Sequence, residues 1–186
     1  MVSDTPSETL SLPSNAFAAA DVAAILQERG WLDAGYSIDA DTAMKAWLAR
    51  AAELLGPQAA DRTALEALLA LIFRYNAAAL LQDSSNQAVL ARSGAREVIR
   101  ELANRILDGG IVDSDRFKEI IERLKATLPY RSRAMFHPIR LALAGRVGEG
   151  ELDRVILLLD AAASLNFATR VKGARERMIE FCAALD

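Results

Sequence analysis

Apolar and polar positions follow a helical rhythm along most of the chain. Val22, Ile25 and Leu26 share one face between Asp21 and Arg29, and Gly30 stands ready as a left-handed residue past the helix end. Thr42 to Leu55 turns Met44, Trp47, Leu48 and Leu54 inward, with Asp41 as N-cap and Gly56-Pro57 as the stop. Thr63 and Glu66 have capping-box spacing before the apolar face of Leu68, Leu69, Ile72 and Phe73. Tyr75-Asn76 interrupts the rhythm, and a short apolar piece, Ala77 to Leu81, leads into the polar stretch Asp83-Ser84-Ser85-Asn86.

The pattern resumes in Ala95 to Leu107, with Val98, Ile99, Leu102 and Ile106 inward, and stops at Asp108-Gly109-Gly110, the clearest hinge in the chain. Asp113 or Ser114 caps the next helix, which carries Phe117, Ile120, Ile121 and Leu124 and ends at Pro129. Pro138 suits the first turn of a helix running to Ala144 and closed by Gly145, which leaves Arg131 to His137 in a loop. Two further helices are predicted, Glu151 to about Leu159 and Phe167 to Leu185. No β-branched run alternates with polar residues, so the fold class is all-α, a multi-helix bundle. Residues 1–15, polar and holding Pro6 and Pro13, read as a disordered tail. The hinge divides the rest into helical lobes at 16–108 and 111–186.

Composition narrows the function. With 186 residues and 52% hydrophobic content the chain can bury a sizeable core, and no apolar run approaches a membrane span. The N-terminus lacks the basic and apolar regions of a secretory signal, so a cytoplasmic location is expected. One cysteine, Cys182, and one histidine, His137, provide neither a metal site nor a nucleophile–base pair, so no metal, cofactor or catalytic residue is expected. Cys182 reads as packing beside Met178, Ile179 and Phe181.

Charge changes the picture. The net charge of -3 hides an acidic first half and a basic second half. Arg123, Lys125, Arg131, Arg133, Arg140 and Arg146 follow one another with no acid between Glu122 and Glu149, and a second acid-free stretch, 161–175, holds Arg170, Lys172 and Arg175. Screening confines each charge to about 8–10 Å, so a local basic patch attracts a polyanion even on an acidic molecule. Solvated or acid-paired arginines are the competing reading.

The stretch Met135 to Arg146, with His137-Pro138-Ile139-Arg140-Leu141-Ala142-Leu143-Ala144-Gly145-Arg146 at its centre, resembles the Pro-Leu-Arg-x-Ala-Leu-Thr-Gly segment in the C-terminal anticodon-binding region of bacterial glutamyl-tRNA synthetases. Gly150-Glu151-Leu152 and Ile156 to Leu159 resemble the family's next helix, and Phe117 to Leu128 the one before. Looser similarity reaches back to about Asp21. Three departures stand out: Ala144 replaces the usual Thr, Asp160 stands where Gly is typical, and the catalytic body with its His-Ile-Gly-His-like and Lys-Met-Ser-Lys-Ser-like elements is missing.

The resemblance implies a right-handed helical array in two small lobes and a stand-alone, non-catalytic homologue that binds tRNA or related structured RNA through 123–146. Arg131, Arg133, Arg140 and Arg146 would meet phosphates, and Tyr130 and Phe136 would stack bases, as loop recognition requires. Two alternatives stay open. Both rings can instead serve the core, and Arg140 can cap or pair with a neighbouring helix. The whole chain can also be a helical protein-protein interaction module that kept the fold, lost RNA binding and docks on a synthetase or another protein.

Overall fold

The computed structural model describes residues 17–185, so the expected tail at 1–15 lies outside the described residues. Ten α-helices and no strand make up the described residues, as the all-α expectation requires. They are α1 Ala19–Glu28, α2 Thr42–Leu55, α3 Arg62–Phe73, α4 Ala77–Gln82, α5 Ser84–Leu90, α6 Ala95–Leu107, α7 Ser114–Thr127, α8 Ser132–Ala144, α9 Glu151–Ala163 and α10 Ala174–Leu185.

Local chemistry explains most of the starts and stops. Asp41, Asp61, Asn76, Asp83 and Asp113 each accept a backbone N–H of the helix that follows them, satisfying donors that a helix start leaves over. The expected capping box at Thr63 is not formed. Asp61 takes the role instead, accepting from Ala64 N–H at 2.7 Å, which places Thr63 inside α3 and frees Glu66 to pair with Arg29. Gly30 and Gly145 adopt positive φ past the ends of α1 and α8, where a side chain would be strained.

Other boundaries also differ from the sequence reading. A short helix, α5, occupies the stretch read as polar loop, because Asp83 caps it. Helix α9 runs on through Asp160 to Ala163. There Asp160 accepts N–H groups from Val112 (2.7 Å) and Ala174 (2.6 Å), so a carboxylate ties the α6–α7 connection and the start of α10 to α9. The last helix begins at Ala174, and Phe167 belongs to an irregular approach instead.

One hydrophobic core runs through the molecule. Across the Gly109-Gly110 connection, α9 packs against α2 and α3, and α10 packs against α4 and α6. Trp47 donates its indole N–H to the Leu158 carbonyl at 3.2 Å, joining α2 to α9. Trp31 stacks on Phe73 with ring centres 4.8 Å apart, and Phe167 meets Phe73 and Trp47 edge-on at 5.0 and 5.1 Å. Such ring pairs add about 0.5–1.5 kcal/mol each beyond the area they bury.

The centre of this core is charged. Arg177 of α10 is fully buried and donates to four carbonyls: Lys172 (2.9 Å), Leu143 (2.8 Å), Leu71 (3.0 Å) and Ile72 (2.7 Å). Leu71 and Ile72 lie in the last turn of α3 and Leu143 in the last turn of α8, where carbonyls have no partner within their own helix and the helix dipole is negative. The Tyr75 ring covers the guanidinium at 4.5 Å, and its hydroxyl donates to the Ala142 carbonyl at 2.5 Å. Burial lowers the Arg177 pKa to about 10, which leaves it charged at neutral pH, and burial raises that of Tyr75.

Replacing Arg177 by Met fills similar space but leaves several buried carbonyls unsatisfied. At 1–3 kcal/mol for each orphaned group, Arg177→Met should lower the unfolding free energy by about 3 kcal/mol or more, read as a drop in the urea midpoint.

Candidate nucleic-acid interface

The basic segment expected to meet RNA spans the α7–α8 connection, α8 and the turn into α9. Helix α8 starts at Ser132, six residues ahead of the predicted first turn, so Pro138 sits in its interior. A proline there lacks the N–H that would bond residue 134. Ala134 is exposed and lies one turn before the buried Pro138. Arg133, Phe136 and His137 are therefore helical rather than looped, and Arg131 is the N-cap residue. Ser132 has φ +49°, among the described residues the one non-glycine position in the left-handed region.

The cations in this segment divide into two kinds. Arg131 turns back on the end of α7 and donates to the carbonyls of Lys125 (2.7 Å), Leu128 (2.6 Å) and Tyr130 (2.6 Å). Arg140 is buried, with its side chain 8% exposed. Its fork grips both oxygens of Asp153 at 2.8 and 2.9 Å, a third nitrogen reaches the Gly148 carbonyl at 2.9 Å, and the group lies 4.9 Å from the Phe136 ring centre. These two guanidinium groups hold the chain together. Such a bidentate pair, shielded from water, is not given up to a passing phosphate.

The remaining cations are held loosely. Arg133 pairs with Glu149 at 3.1 Å, with side chains 74% and 61% exposed, and Arg146 reaches Glu151 at 3.6 Å. Arg123 pairs with Glu119, and Lys125 with Glu122, within a turn of α7. Exposed pairs of this kind contribute about 0–1 kcal/mol, so their cations are open to exchange. In the second acid-free stretch Arg170 meets Glu176, Lys172 meets Glu180 and the carbonyl of Tyr75, and Arg175 bonds the carbonyl of Leu107.

The aromatic residues brace the scaffold. Tyr130 donates its hydroxyl to Glu97 at 2.8 Å, and its ring lies where a side chain on Gly94 would be. Gly94 also has φ +84°, so this close approach requires glycine on two counts. Half-buried Phe136 supports Arg140. On α10, Met178 and Phe181 are buried, but Ile179 is 51% exposed, so it does not share the packed side expected for it with Cys182, which is half-buried.

Sequence reasoning passed over Arg177 and a second basic row, Arg92, Arg96 and Arg100, which are exposed around the start of α6. The four-residue spacing of that row was the available signal. Arg92 acts electrostatically on His137, as do Arg133 and Arg140. Among the described residues no group of three or more His, Cys, Asp or Glu is placed to hold a metal, and no helix is long and apolar enough to cross a membrane.

No family model matches the chain, and no solved structure matches it. Among curated proteins, glutamate–tRNA ligase 2 of Syntrophus aciditrophicus (strain SB) is 30% identical over 77 residues. The match takes in 41% of this chain and only 16% of the ligase, so the similarity joins a part of one to a small part of the other.

His137 gives this region a pH signature. Its Nδ1 is buried without a hydrogen-bond partner, and burial lowers its pKa, with the nearby arginines acting the same way against Glu149. The folded state thus favours the neutral ring. Its contribution to stability is present above about pH 6.5 and is lost as pH falls through the lowered folded value. Urea midpoints at about pH 7.5 and about pH 5.5 should fall further for the native chain than for His137→Gln.

Proposed function

We propose that this chain is a non-catalytic helical module that binds structured RNA, tRNA foremost, in the manner of the anticodon-binding region it resembles. The observation that carries this reading is the division of labour among the arginines in 131–146. Arg131 and Arg140 build the surface, and Arg133 and Arg146 are the more exposed pair, held only by the exposed Glu149 and the half-buried Glu151. The partial match to a glutamate–tRNA ligase supports RNA as the polyanion. Phosphate contact then falls to Arg133 and Arg146, and Tyr130 and Phe136 position the helices instead of stacking bases.

A second reading, the helical interaction module, rests on a different observation. An open, mostly apolar groove lies between α2 and α9, lined by Ala46, Trp47, Leu157, Ala161 and Leu165, with Arg50 as the one charged residue among its described lining. A protein partner, such as a synthetase, would be its occupant.

Titration against unfractionated tRNA separates the two. RNA binding predicts micromolar affinity at low salt, and log K should fall linearly with log salt by about 0.7–0.9 for each phosphate neutralised. Absence of binding at low salt would remove the first reading and leave the second. The variant Arg133→Ala with Arg146→Ala should weaken binding without moving the thermal midpoint. Arg140→Ala should lower that midpoint, because Asp153 would lose its buried partner.

A further inference from the structure

The groove between α6 and α10 carries the largest local excess of unpaired positive charge. Arg96 and Arg100 stand on α6 one turn apart, about 6 Å along the helix axis. Both are exposed, and among the described residues neither they nor Arg92 meets a carboxylate or a hydrogen-bond acceptor. This contrasts with the basic segment at 123–146, where each cation has a partner.

The acids nearest in sequence are already committed. Glu97 accepts the hydroxyl of Tyr130, which draws it toward the α7–α8 connection, and Glu101 is bound by Arg105. Arg96 and Leu185 line two adjoining open cavities of about 320 and 250 Å³. Leu90, Ile99 and Ala103 belong to its apolar floor, Asn104 adds an amide, and no described lining residue is acidic or aromatic. A neighbouring cavity, by contrast, balances Arg105, Arg116 and Arg123 against Glu101, Asp108 and Glu119. Packing of the Tyr130 ring on Gly94 fixes this row relative to α8, and Arg92 continues it toward His137 and Arg133.

We propose that this groove is the principal RNA-binding site and that it follows the phosphate backbone of a folded stem without reading bases. The proposal rests on the RNA reading above and deepens it. Arg supplies the planar donor fork that suits phosphate, and two forks one turn apart suit a linear polyanion better than a single small anion. Without a ring to stack a splayed base, recognition comes from shape and backbone, as is usual for double-stranded RNA. A duplex also presents its phosphates in fixed positions, which a rigid helix edge can match.

The test compares three proteins, the native chain, Arg96→Glu with Arg100→Glu, and Arg133→Ala with Arg146→Ala, each checked for an unchanged circular-dichroism melt. If the charge reversals alter the melt, Arg96→Gln with Arg100→Gln replaces them. Each protein is titrated with unfractionated tRNA, with two RNA hairpins of unrelated sequence, and with duplex DNA of matching length. We expect the α6 pair to weaken tRNA binding at least tenfold and to cut the salt slope by about 1.4–1.8. The Arg133 and Arg146 substitutions should cost less, and the two hairpins should bind alike. Native binding that the α6 pair leaves unchanged overturns the groove while the RNA reading stands. Hairpins that differ strongly overturn backbone readout, and equal binding of duplex DNA overturns the assignment to RNA. Native protein that binds no RNA at low salt ends the RNA reading, and the groove's assignment with it.

Discussion

A buried guanidinium without a carboxylate sets the terms for this fold. Arg177 is fully enclosed, and the groups that compensate its charge are the carbonyl ends of α3 and α8 together with the Lys172 carbonyl. Desolvating an ion costs several kcal/mol, and that cost is offset only if enough acceptors converge on it. Glu180 and Asp160 add attraction from a distance, but the direct bonds bring the ends of both helices to one point, where α10 delivers its side chain. A core of leucine and isoleucine alone tolerates small slips between helices. Four hydrogen bonds to one planar group do not, so the arginine specifies the relative placement of segments more than a hundred residues apart.

Arg140 follows similar logic nearer the surface. Its fork on Asp153 and its bond to Gly148 hold the turn between α8 and α9, and Phe136 lies against its guanidinium. A charge run in a sequence thus mixes side chains of opposite purpose. Some are spent on the architecture and some remain for a ligand, and only burial and partners tell them apart. The arginines with the greatest freedom lie on α6, outside the acid-free run that first drew attention.

What could be read in the sequence follows from the range of the physics. The helices were legible because apolar spacing repeats every three to four residues and because capping acids sit next to what they cap. Asp41 and Asp113 are good examples. At the start of α3 the local spacing points to Thr63, but Asp61, two residues earlier, is the cap, because backbone geometry and not spacing alone decides which side chain reaches the free N–H. Pro138 misled for a related reason. Proline fits a first turn best, but that is only a local preference, and α8 carries Pro138 in its interior. The basic segment was legible as charge. The Asp153 partner of Arg140, thirteen residues away, and the carbonyls around Arg177 were not, because nothing local in the sequence marks a long-range contact.

Asp160, an acid where the resembled family favours glycine, bears on how the chain can be divided. By accepting N–H groups from Val112 and Ala174 it fastens the approach to α7 and the first turn of α10 to the middle of α9. The stretch read from sequence as resembling that family ends near that residue and so invites excision, but a fragment trimmed there would keep the carboxylate and discard one of its two partners, along with the arginine that closes the core. Dissection of this molecule into a minimal piece should therefore retain the final helix, even though that helix lies beyond the recognisable motif.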